Sequence, residues 1–367
     1  MKILCILGTR PEAIKMAPVI HRLQETAWAQ VRVLATAQHR EMLDQVLNLF
    51  NIVPDLDLNL MKKNQTLPQL TANLISSLDT CLQIERPDAI LAQGDTTTVM
   101  AAAISAYYSQ IPFGHIEAGL RTRDIYNPFP EEMNRLIATR IARWHFAPTE
   151  SAKLNLLAEG IPEHAIFVTG NTVIDALLST ANRCENATPP VAPGNRLILL
   201  TAHRRENFGE PLLNICRAVK YLVDTRNDIE FLVPVHPNPN VMELVHGLLG
   251  NHPRIRLSQP LDYLPFVSAM KKAKFILTDS GGIQEEAPAL GKPVLVLRKE
   301  TERPEAVQAG VVKLVGTDCA SIISESLRLL DEDETYKSMA KGASPYGDGN
   351  AAVRIRDILM QSNLAQI

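Results

Sequence analysis

Acidic side chains stand directly after two apolar runs in the first half of the sequence, where a buried strand would end. Asp95 follows the run Ala89–Ala92, and Glu117 follows Phe113–Ile116. Ligands of parallel α/β sheets bind beyond the carboxyl ends of the strands, and a carboxylate there can remove or deliver a proton. Taken alone, Asp95 is more typical of a helix N-cap. Two such carboxylates at equivalent loops indicate acid–base chemistry.

A third carboxylate, Glu131, opens a helical stretch, and Arg135 follows four residues later on the same helix face. This pair is either a surface salt bridge, which contributes little to stability, or a carboxylate that an arginine holds at a ligand site. Glu117 also needs a partner, since a charged side chain at the end of a buried strand is costly unless paired. We expect His115 or Arg121 to supply that partner.

Cationic side chains follow other strands and indicate an anion site. Arg10 lies at the mouth of the first helix and Lys15 about one turn inside it, where a helix N-terminus attracts negative charge. In the second half, His203 and Arg204 follow one predicted strand and His236 follows another. Surface cations on an ordinary strand–turn–helix unit explain the first pair equally well. Two histidines at two strand ends of one domain favour a binding role.

The strongest local signal is the sequence Asp-Ser-Gly-Gly at 279–282, between an apolar run and a helical stretch. Glycine amides at a helix N-terminus can approach a diphosphate closely. One turn later, Glu285 and Glu286 could accept hydrogen bonds from ribose hydroxyls, as acidic residues do in dinucleotide sites. Arg303 adds a cation near the same face. A glycine pair alone is weak evidence, because ordinary βαβ turns also contain one.

The elements that position these residues alternate along the chain, which predicts parallel sheets with helices on both faces. Apolar residues recur at helical spacing in several segments, for example Ala13–Leu23, Thr71–Ile84 and Glu131–Ala142. The predicted strands are Ile3–Leu7, Val31–Ala35, Ala89–Ala92, Phe113–Ile116, His145–Pro148, Leu197–Leu200, Phe231–Val235, Ile255–Leu257, Phe275–Leu277 and Val294–Leu297. We expect a hinge near Gly170, a loop over 186–194, and a last helix over 350–364 that returns to the first domain.

Composition narrows the class of protein. A chain of 367 residues suits two domains. The net charge of −3 argues against nucleic acid or an acidic membrane as partner. The five cysteines are scattered without a C-x-x-C pair, which fits a reducing compartment rather than a disulfide framework or a zinc ribbon. Apolar runs are too short for a signal peptide or a membrane span, so we expect a cytoplasmic protein.

Six motifs, in this order along the whole chain, resemble those of the non-hydrolysing UDP-N-acetylglucosamine 2-epimerases. They are Gly-Thr-Arg-Pro-Glu-Ala at 8–13, Gln-Gly-Asp-Thr-Thr at 93–97, His-Ile-Glu-Ala-Gly-Leu-Arg at 115–121, Pro-Glu-Glu-Met-Asn-Arg at 130–135, His-Arg-Arg-Glu-Asn at 203–207, and Asp-Ser-Gly-Gly at 279–282 continuing to Thr-Glu-Arg-Pro-Glu at 301–305. Each motif alone is weak, but together they are specific.

The resemblance implies an α/β fold like that of the GT-B glycosyltransferases, with two Rossmann-like domains whose parallel sheets face a central cleft. The first domain would span 1–169 and include the C-terminal helix 351–367, and the UDP-binding second domain would span 170–350. It also implies a homodimer that needs no nicotinamide. Since the sequence shows no metal-ligand spacing either, we expect no cofactor and no metal. The substrates would be UDP-GlcNAc and UDP-ManNAc, with UDP as a further ligand.

The resemblance implies roles for individual residues of this chain, position by position. The implied catalytic residues are Asp95, Glu117, Glu131 and His203, the last also as a diphosphate contact. The implied substrate-binding residues are Arg10, Lys15, Arg135, Phe266, Ser280, Gly281, Gly282, Glu286 and Arg303. One departure is Lys299-Glu300, where many members have Asp-Thr, which leaves the contacts of that loop open.

The implied reaction explains why carboxylates and cations are needed together. The C2 hydrogen of UDP-GlcNAc is not next to a carbonyl, so it becomes acidic only as UDP leaves C1. Cations stabilise the leaving diphosphate, a carboxylate takes the proton, and 2-acetamidoglucal and UDP form. Re-addition from the other face gives the epimer. A GT-B glycosyltransferase, a hydrolysing epimerase or a nucleotide-sugar sensor would share the fold, but a transferase would not need several carboxylates in the first domain.

The resemblance also suggests regulation by a second UDP-GlcNAc molecule. Gln38 and His39 follow the second predicted strand, and with Arg204 and His236 they could line a polar pocket beside the catalytic one. Helix capping by Gln38 and His39 is the equally weighted alternative.

Overall fold

The computed structural model describes residues 1–36, 40–60, 65–184, 187, 191–342 and 344–364. The chain divides into two compact units: Met1–Ala176 with Tyr346–Ile367, and Leu177–Pro345. Each unit contains one parallel sheet with helices between consecutive strands. The predicted α/β class with two Rossmann-like parallel sheets is therefore confirmed.

The first unit contains a seven-stranded sheet with the order β3-β2-β1-β4-β5-β6-β7. Its strands are β1 (Lys2–Leu7), β2 (Gln30–Ala35), β3 (Leu56–Asp57), β4 (Ala89–Gln93), β5 (Phe113–Ile116), β6 (Trp144–Ala147) and β7 (Ile166–Val168). Its helices are α1 (Arg10–Gln24), α2 (Arg40–Leu49), α3 (Leu67–Glu85), α4 (Thr97–Tyr108), α5 (Glu131–Ile141), α6 (Glu150–Ala158) and α7 (Thr172–Ala181), within which the unit boundary falls.

The second unit contains a six-stranded sheet with the order β10-β9-β8-β11-β12-β13. Its strands are β8 (Arg196–Thr201), β9 (Ile229–Pro234), β10 (Ile255–Ser258), β11 (Phe275–Thr278), β12 (Val294–Val296) and β13 (Val312–Leu314). Its helices are α8 (Glu210–Thr225), α9 (Pro239–Leu249), α10 (Tyr263–Lys272), α11 (Gly281–Ala289), α12 (Pro304–Gln308), α13 (Cys319–Asp331) and α14 (Asp333–Met339).

All ten predicted strands are present, with ends that differ by up to two residues. The prediction missed β3, β7 and β13, which have two or three residues each and lie at the sheet edges. A strand of two or three residues is too short to show the apolar run or alternation that marks a strand in a sequence. That is why the pattern that marks the central strands does not extend to them.

The final helix, α15 (Ala351–Leu364), belongs to the first unit and packs against α1. The carboxylate of Asp175 accepts hydrogen bonds from the backbone N–H groups of Ala351 and Ala352 at 3.2 and 2.9 Å. These bonds satisfy two free donors at the start of α15 and favour negative charge there. At the other end, Trp144 Nε1 donates to Ser362 Oγ at 3.0 Å.

Apolar side chains at helical spacing explain why α3 packs against the first sheet. The four leucines at 70, 74, 78 and 82 are buried and repeat every four residues, which places them on one face. α4 packs beside α3 and presents buried alanines at 101, 102, 103 and 106, whose small side chains allow close approach. Among the described residues, no helix combines the length and apolar character that crossing a membrane requires.

Candidate active site

The strand order of the first unit gathers its candidate residues. β1, β4 and β5 are consecutive in the sheet and parallel. The loops after them, which carry Arg10, Asp95 and Glu117, therefore leave the same edge. Arg10 is the first residue of α1, and Pro11 occupies the first turn as predicted. The topology thus places two predicted carboxylates and a predicted cation at neighbouring loops.

Glu117 is held by donors from three other segments. Its side chain is buried, and its backbone lies in the left-handed region at φ 67°. Lys15 Nζ and Asn171 Nδ2 donate to Oε1 at 2.6 and 2.8 Å, and Gln93 Nε2 donates to Oε2. A buried carboxylate with three donors, one of them an ammonium, is stabilised as an anion.

The expected partners of Glu117 were wrong. The guanidinium of Arg121 pairs with Glu159 at 2.6 Å and is already occupied. The His115 ring is fully buried, and its Nε2 lies 2.7 Å from the Gly94 carbonyl oxygen. Neither expected partner forms the ion pair, which comes instead from Lys15, the residue that the resemblance assigned to substrate.

His115 predicts a pH dependence of stability. Burial lowers its pKa to about 4, and Nδ1 has no partner among the described residues. Since an unfolded histidine titrates near 6.5, the unfolded chain binds more protons between these values, and stability falls as pH drops from about 6.5 to about 4. The loss from this residue should reach roughly 3 kcal/mol.

Denaturant unfolding at several pH values checks this dependence. His115→Gln should remove much of the loss of unfolding free energy below pH 6.5, whereas the exposed control His164→Gln should keep the wild-type slope. Equal slopes in all three proteins would show that the ring at 115 accepts a proton in the native state.

Asp95 is fixed by the first turns of α5. Arg135 donates to Asp95 Oδ2 through Nε at 3.0 Å and Nη2 at 2.6 Å, and Asn134 Nδ2 donates to the Asp95 backbone oxygen at 2.8 Å. The N-cap of α4 is Thr96, not Asp95. The alternative that Asp95 only caps a helix is therefore wrong, and its carboxylate is presented by a two-point contact with an arginine.

The predicted pairing of Glu131 with Arg135 was also wrong. Arg135 Nη1 binds Glu132 at 2.8 Å, and the buried Glu132 carboxylate also accepts from the backbone N–H groups of Thr122 and Arg123. Helical spacing permits either glutamate, because three and four residues both bring side chains together. The backbone donors select Glu132 and leave Glu131, the first residue of α5, outside this network.

In the second unit, the buried carboxylate of Asp279 organises the loop that follows β8. It accepts from the backbone N–H groups of His203 and Arg204, each at 2.9 Å, and from Asn207 Nδ2 at 2.9 Å. His203 Nδ1 lies 3.1 Å from Oδ1. Although burial opposes ionisation, these partners hold the pKa of Asp279 below its usual range. His203 is therefore oriented through Nδ1, which leaves Nε2 for a ligand.

The glycine pair starts α11 as predicted, with Ser280 as N-cap and Gly281 as first helical residue. Glu286 is buried and accepts from the Tyr263 hydroxyl at 3.0 Å. Glu285, the other predicted ribose acceptor, is bound by Arg303 Nε instead. Arg303 and Glu285 therefore form a partly buried ion pair beside the helix start.

Three of the remaining predicted residues, Phe266, Arg204 and His236, lie in the second unit. Phe266 is half-buried in α10. Arg204 pairs with Glu302 at 2.7 Å, and the rings of His203 and His236 stack with centroids 6.3 Å apart. Gln38 and His39 lie outside the described residues, so their regulatory role stays a prediction.

Several residues that shape these sites were assigned no site role from the sequence. They are Glu12, Gln93, Glu132, Asn134, Asn171 and Asp279. All but Asn171 stand inside the motifs that carry the resemblance, and Glu12 also forms a capping box with Thr9. Its carboxylate also accepts from Thr96 Oγ1 at 2.5 Å, so it links the loops after β1 and β4.

Comparison with known proteins identifies the family. The family model described as UDP-N-acetylglucosamine 2-epimerase matches residues 21–360. The chain belongs to this family. A UDP-N-acetylglucosamine 2-epimerase of Escherichia coli O157:H7 is 50% identical over 375 residues, which cover 100% of both chains. The resemblance seen in the motifs is therefore confirmed.

Solved structures of other epimerases of this family share the fold. That of the UDP-GlcNAc 2-epimerase from Neisseria meningitidis bound to UDP-GlcNAc matches with TM-score 0.89 and 51% identity, covering 98% of this chain and 100% of that one. That of the Methanocaldococcus jannaschii enzyme in complex with UDP-GlcNAc and UDP matches with TM-score 0.80 and 35% identity, covering 98% and 100%. Among the described residues of the present chain, no group of three or more His, Cys, Asp or Glu side chains is placed to hold a metal.

Proposed function

We propose that this chain is an isomerase that interconverts UDP-GlcNAc and UDP-ManNAc by eliminating UDP and adding it back. The observation that carries the proposal is the pair Asp95 and Glu117, two carboxylates at adjacent loops, each bound by a cation, in a member of the 2-epimerase family. A glycosyltransferase would not require such a pair. The ligands named for the relatives support a UDP-sugar as substrate.

In this proposal the second unit holds the nucleotide. The backbone N–H groups of Gly281 and Gly282 at the start of α11 and the imidazole of His203 bind the diphosphate, which stabilises UDP as the leaving group. Ser280 and Arg303 add contacts at the same loops. Glu286 binds the ribose, and Phe266 contacts the nucleotide.

The first unit supplies acid–base groups and two further cations. Arg10 and Lys15 are assigned to the substrate, and Lys15 also pairs with Glu117. Arg135 is assigned to the same region because it holds Asp95. Glu131 is the third acid–base candidate, at the first position of α5.

The chemistry balances without an oxidant or a reductant. One carboxylate takes the C2 proton, the C–H electron pair forms the C1–C2 double bond, and the C1–O bond breaks with its electrons on UDP. The products of this step are 2-acetamidoglucal and UDP. Delivery of a proton to the other face of C2 and addition of UDP to C1 then give the epimer. Because no net oxidation occurs, we expect turnover without added nicotinamide.

Assembly and location complete the proposal. The family resemblance favours a homodimer, and the five cysteines, all free thiols, fit the reducing cytoplasm. A second UDP-GlcNAc, for which the sequence predicted contacts with Gln38, His39, Arg204 and His236, would activate the enzyme only if it favours the active conformation.

The direct test is incubation of the purified chain with each UDP-sugar alone, followed by NMR. UDP-GlcNAc should yield a mixture with UDP-ManNAc, without nicotinamide or added divalent metal. Formation of free ManNAc and UDP would indicate hydrolysis instead, and an unchanged substrate would contradict the proposal. For regulation, UDP-ManNAc alone should react slowly until a trace of UDP-GlcNAc is added.

A further inference from the structure

The two segments that connect the units lie side by side within the first unit. The chain leaves this unit after Ala176 and re-enters it at Tyr346. The backbone N–H of Asn171 donates to the Tyr346 carbonyl oxygen at 2.6 Å. A Cβ on Gly170 would lie 3.3 Å from Gly347 Cα, and Gly170 has a φ of 88°. The outgoing and returning segments are therefore in close contact, and the positive φ at position 170 favours glycine there.

Further contacts fasten these segments to each other. The Asp175 carboxylate binds the first N–H groups of α15. Arg354 Nη1 donates to the Thr169 carbonyl oxygen at 2.9 Å, and the same guanidinium pairs with Asp348 at 2.7 Å. The segment around Asn171 is thus held by the returning chain at several points.

The side chain of Asn171 is buried and has a defined orientation. Its Oδ1 accepts from the Val173 backbone N–H at 3.1 Å, in the first turn of α7. An amide whose oxygen is occupied by a backbone donor must direct its NH2 group the other way. That NH2 group donates to Glu117 Oε1 at 2.8 Å. The amide cannot be reversed without losing both hydrogen bonds.

We propose that Asn171 is a positioning residue that sets the place and the charge state of the Glu117 carboxylate. It links the proposed acid–base group to the segments that connect the two units. This inference rests on the proposed function of Glu117. Among the described residues, Lys15 from α1 forms an ion pair with Glu117, and His115 from β5 interacts with it electrostatically. Asn171, in the outgoing segment, adds a neutral donor.

The decisive variant is Asn171→Asp, which has nearly the same shape. Aspartate still accepts from the Val173 N–H, so the start of α7 is preserved, but it places a second carboxylate where Glu117 now receives a donor. A like charge disfavours ionisation of its neighbour. We expect the acidic limb of the kcat/KM pH profile to move to higher pH by about 1 unit or more. We also expect kcat at neutral pH to fall about 10-fold, with little change in KM.

Two further variants distinguish an effect on the Glu117 carboxylate from a general loss of stability. Asn171→Ala removes the donor without adding charge, so kcat should fall while the acidic limb moves less than in Asn171→Asp. Asp175→Asn weakens the contact of the same segments with α15, and should lower Tm but leave the pH profile in place. An unchanged profile and kcat in Asn171→Asp, or an equal displacement in Asp175→Asn, would overturn the inference.

A readout without turnover keeps this test independent of the proposed reaction. If the wild-type chain does not epimerise UDP-GlcNAc, the proposed function fails, and the Glu117 carboxyl can still be titrated by NMR in protein labelled with ¹³C at glutamate side-chain carboxyls. The signal is assigned by its loss in Glu117→Gln. Asn171→Asp should move its titration to higher pH, and an unmoved titration would overturn the inference.

Discussion

Each of the substitutions Asp95→Asn, Glu117→Gln and Glu131→Gln is expected to lower kcat by roughly 100-fold or more, the usual contribution of a general acid or base. The amides keep the size of the side chains but cannot exchange a proton at neutral pH. At Glu117 the amide would also place an NH2 group among the donors of Lys15, Gln93 and Asn171. Steady-state rates with UDP-GlcNAc measure the effect.

A matched control comes from an exposed glutamate. Glu163 pairs with Lys153 at the surface with its side chain 72% exposed, so Glu163→Gln should keep the wild-type rate. Circular dichroism and Tm identify variants that fold. If a variant of Asp95, Glu117 or Glu131 folds and keeps the full rate, that residue has only a structural role.

The second large effect is expected from Asp279→Asn, which should weaken UDP binding by about 10- to 100-fold. The carboxylate accepts from the backbone N–H groups of His203 and Arg204 and from Asn207. An asparagine offers one oxygen to these donors and opposes the others with its NH2 group. A buried donor left without an acceptor costs roughly 1–3 kcal/mol, so the loop that carries His203 should rearrange in the free protein. Restoring that loop on UDP binding then consumes binding energy, and about 1.4 kcal/mol is tenfold in affinity.

Calorimetry with UDP tests this effect against a control of the same chemistry. Asp318 is the exposed N-cap of α13, and asparagine caps a helix as well as aspartate does, so Asp318→Asn should bind UDP normally. If Asp279 acts by orienting His203, the loss in Asp279→Asn/His203→Ala should be smaller than the sum of the single losses. Strictly additive losses would mean that the two residues act independently.

The sequence predicts the central strands and the loops that carry the site, because both follow from local pattern. Strands β1, β4 and β5 are buried on both faces and read as apolar runs. The residue after each run then falls at the ligand-binding edge by topology alone. Strands such as β3 and β7 have only two or three residues, too few to show such a pattern.

The partners of the site residues could not be predicted because they are distant in sequence. Glu117 lies 102 residues from Lys15 and 54 from Asn171, whereas the expected partners His115 and Arg121 were sequence neighbours. At Arg135 the prediction chose the wrong one of two adjacent glutamates, Glu131 instead of Glu132. Spacings of three and four residues are both compatible with contact, and only the backbone donors at 122 and 123 show why Glu132 is the partner.

The measurement that tests the central claim most directly is epimerisation in heavy water, with NMR of the product at C2. Elimination removes the C2 hydrogen to a carboxylate, and the returning proton comes from a group that can exchange with solvent. The UDP-ManNAc formed from UDP-GlcNAc should therefore carry deuterium at C2. Product that retains the original hydrogen at C2 would contradict the elimination route and with it the roles proposed for Asp95, Glu117 and Glu131.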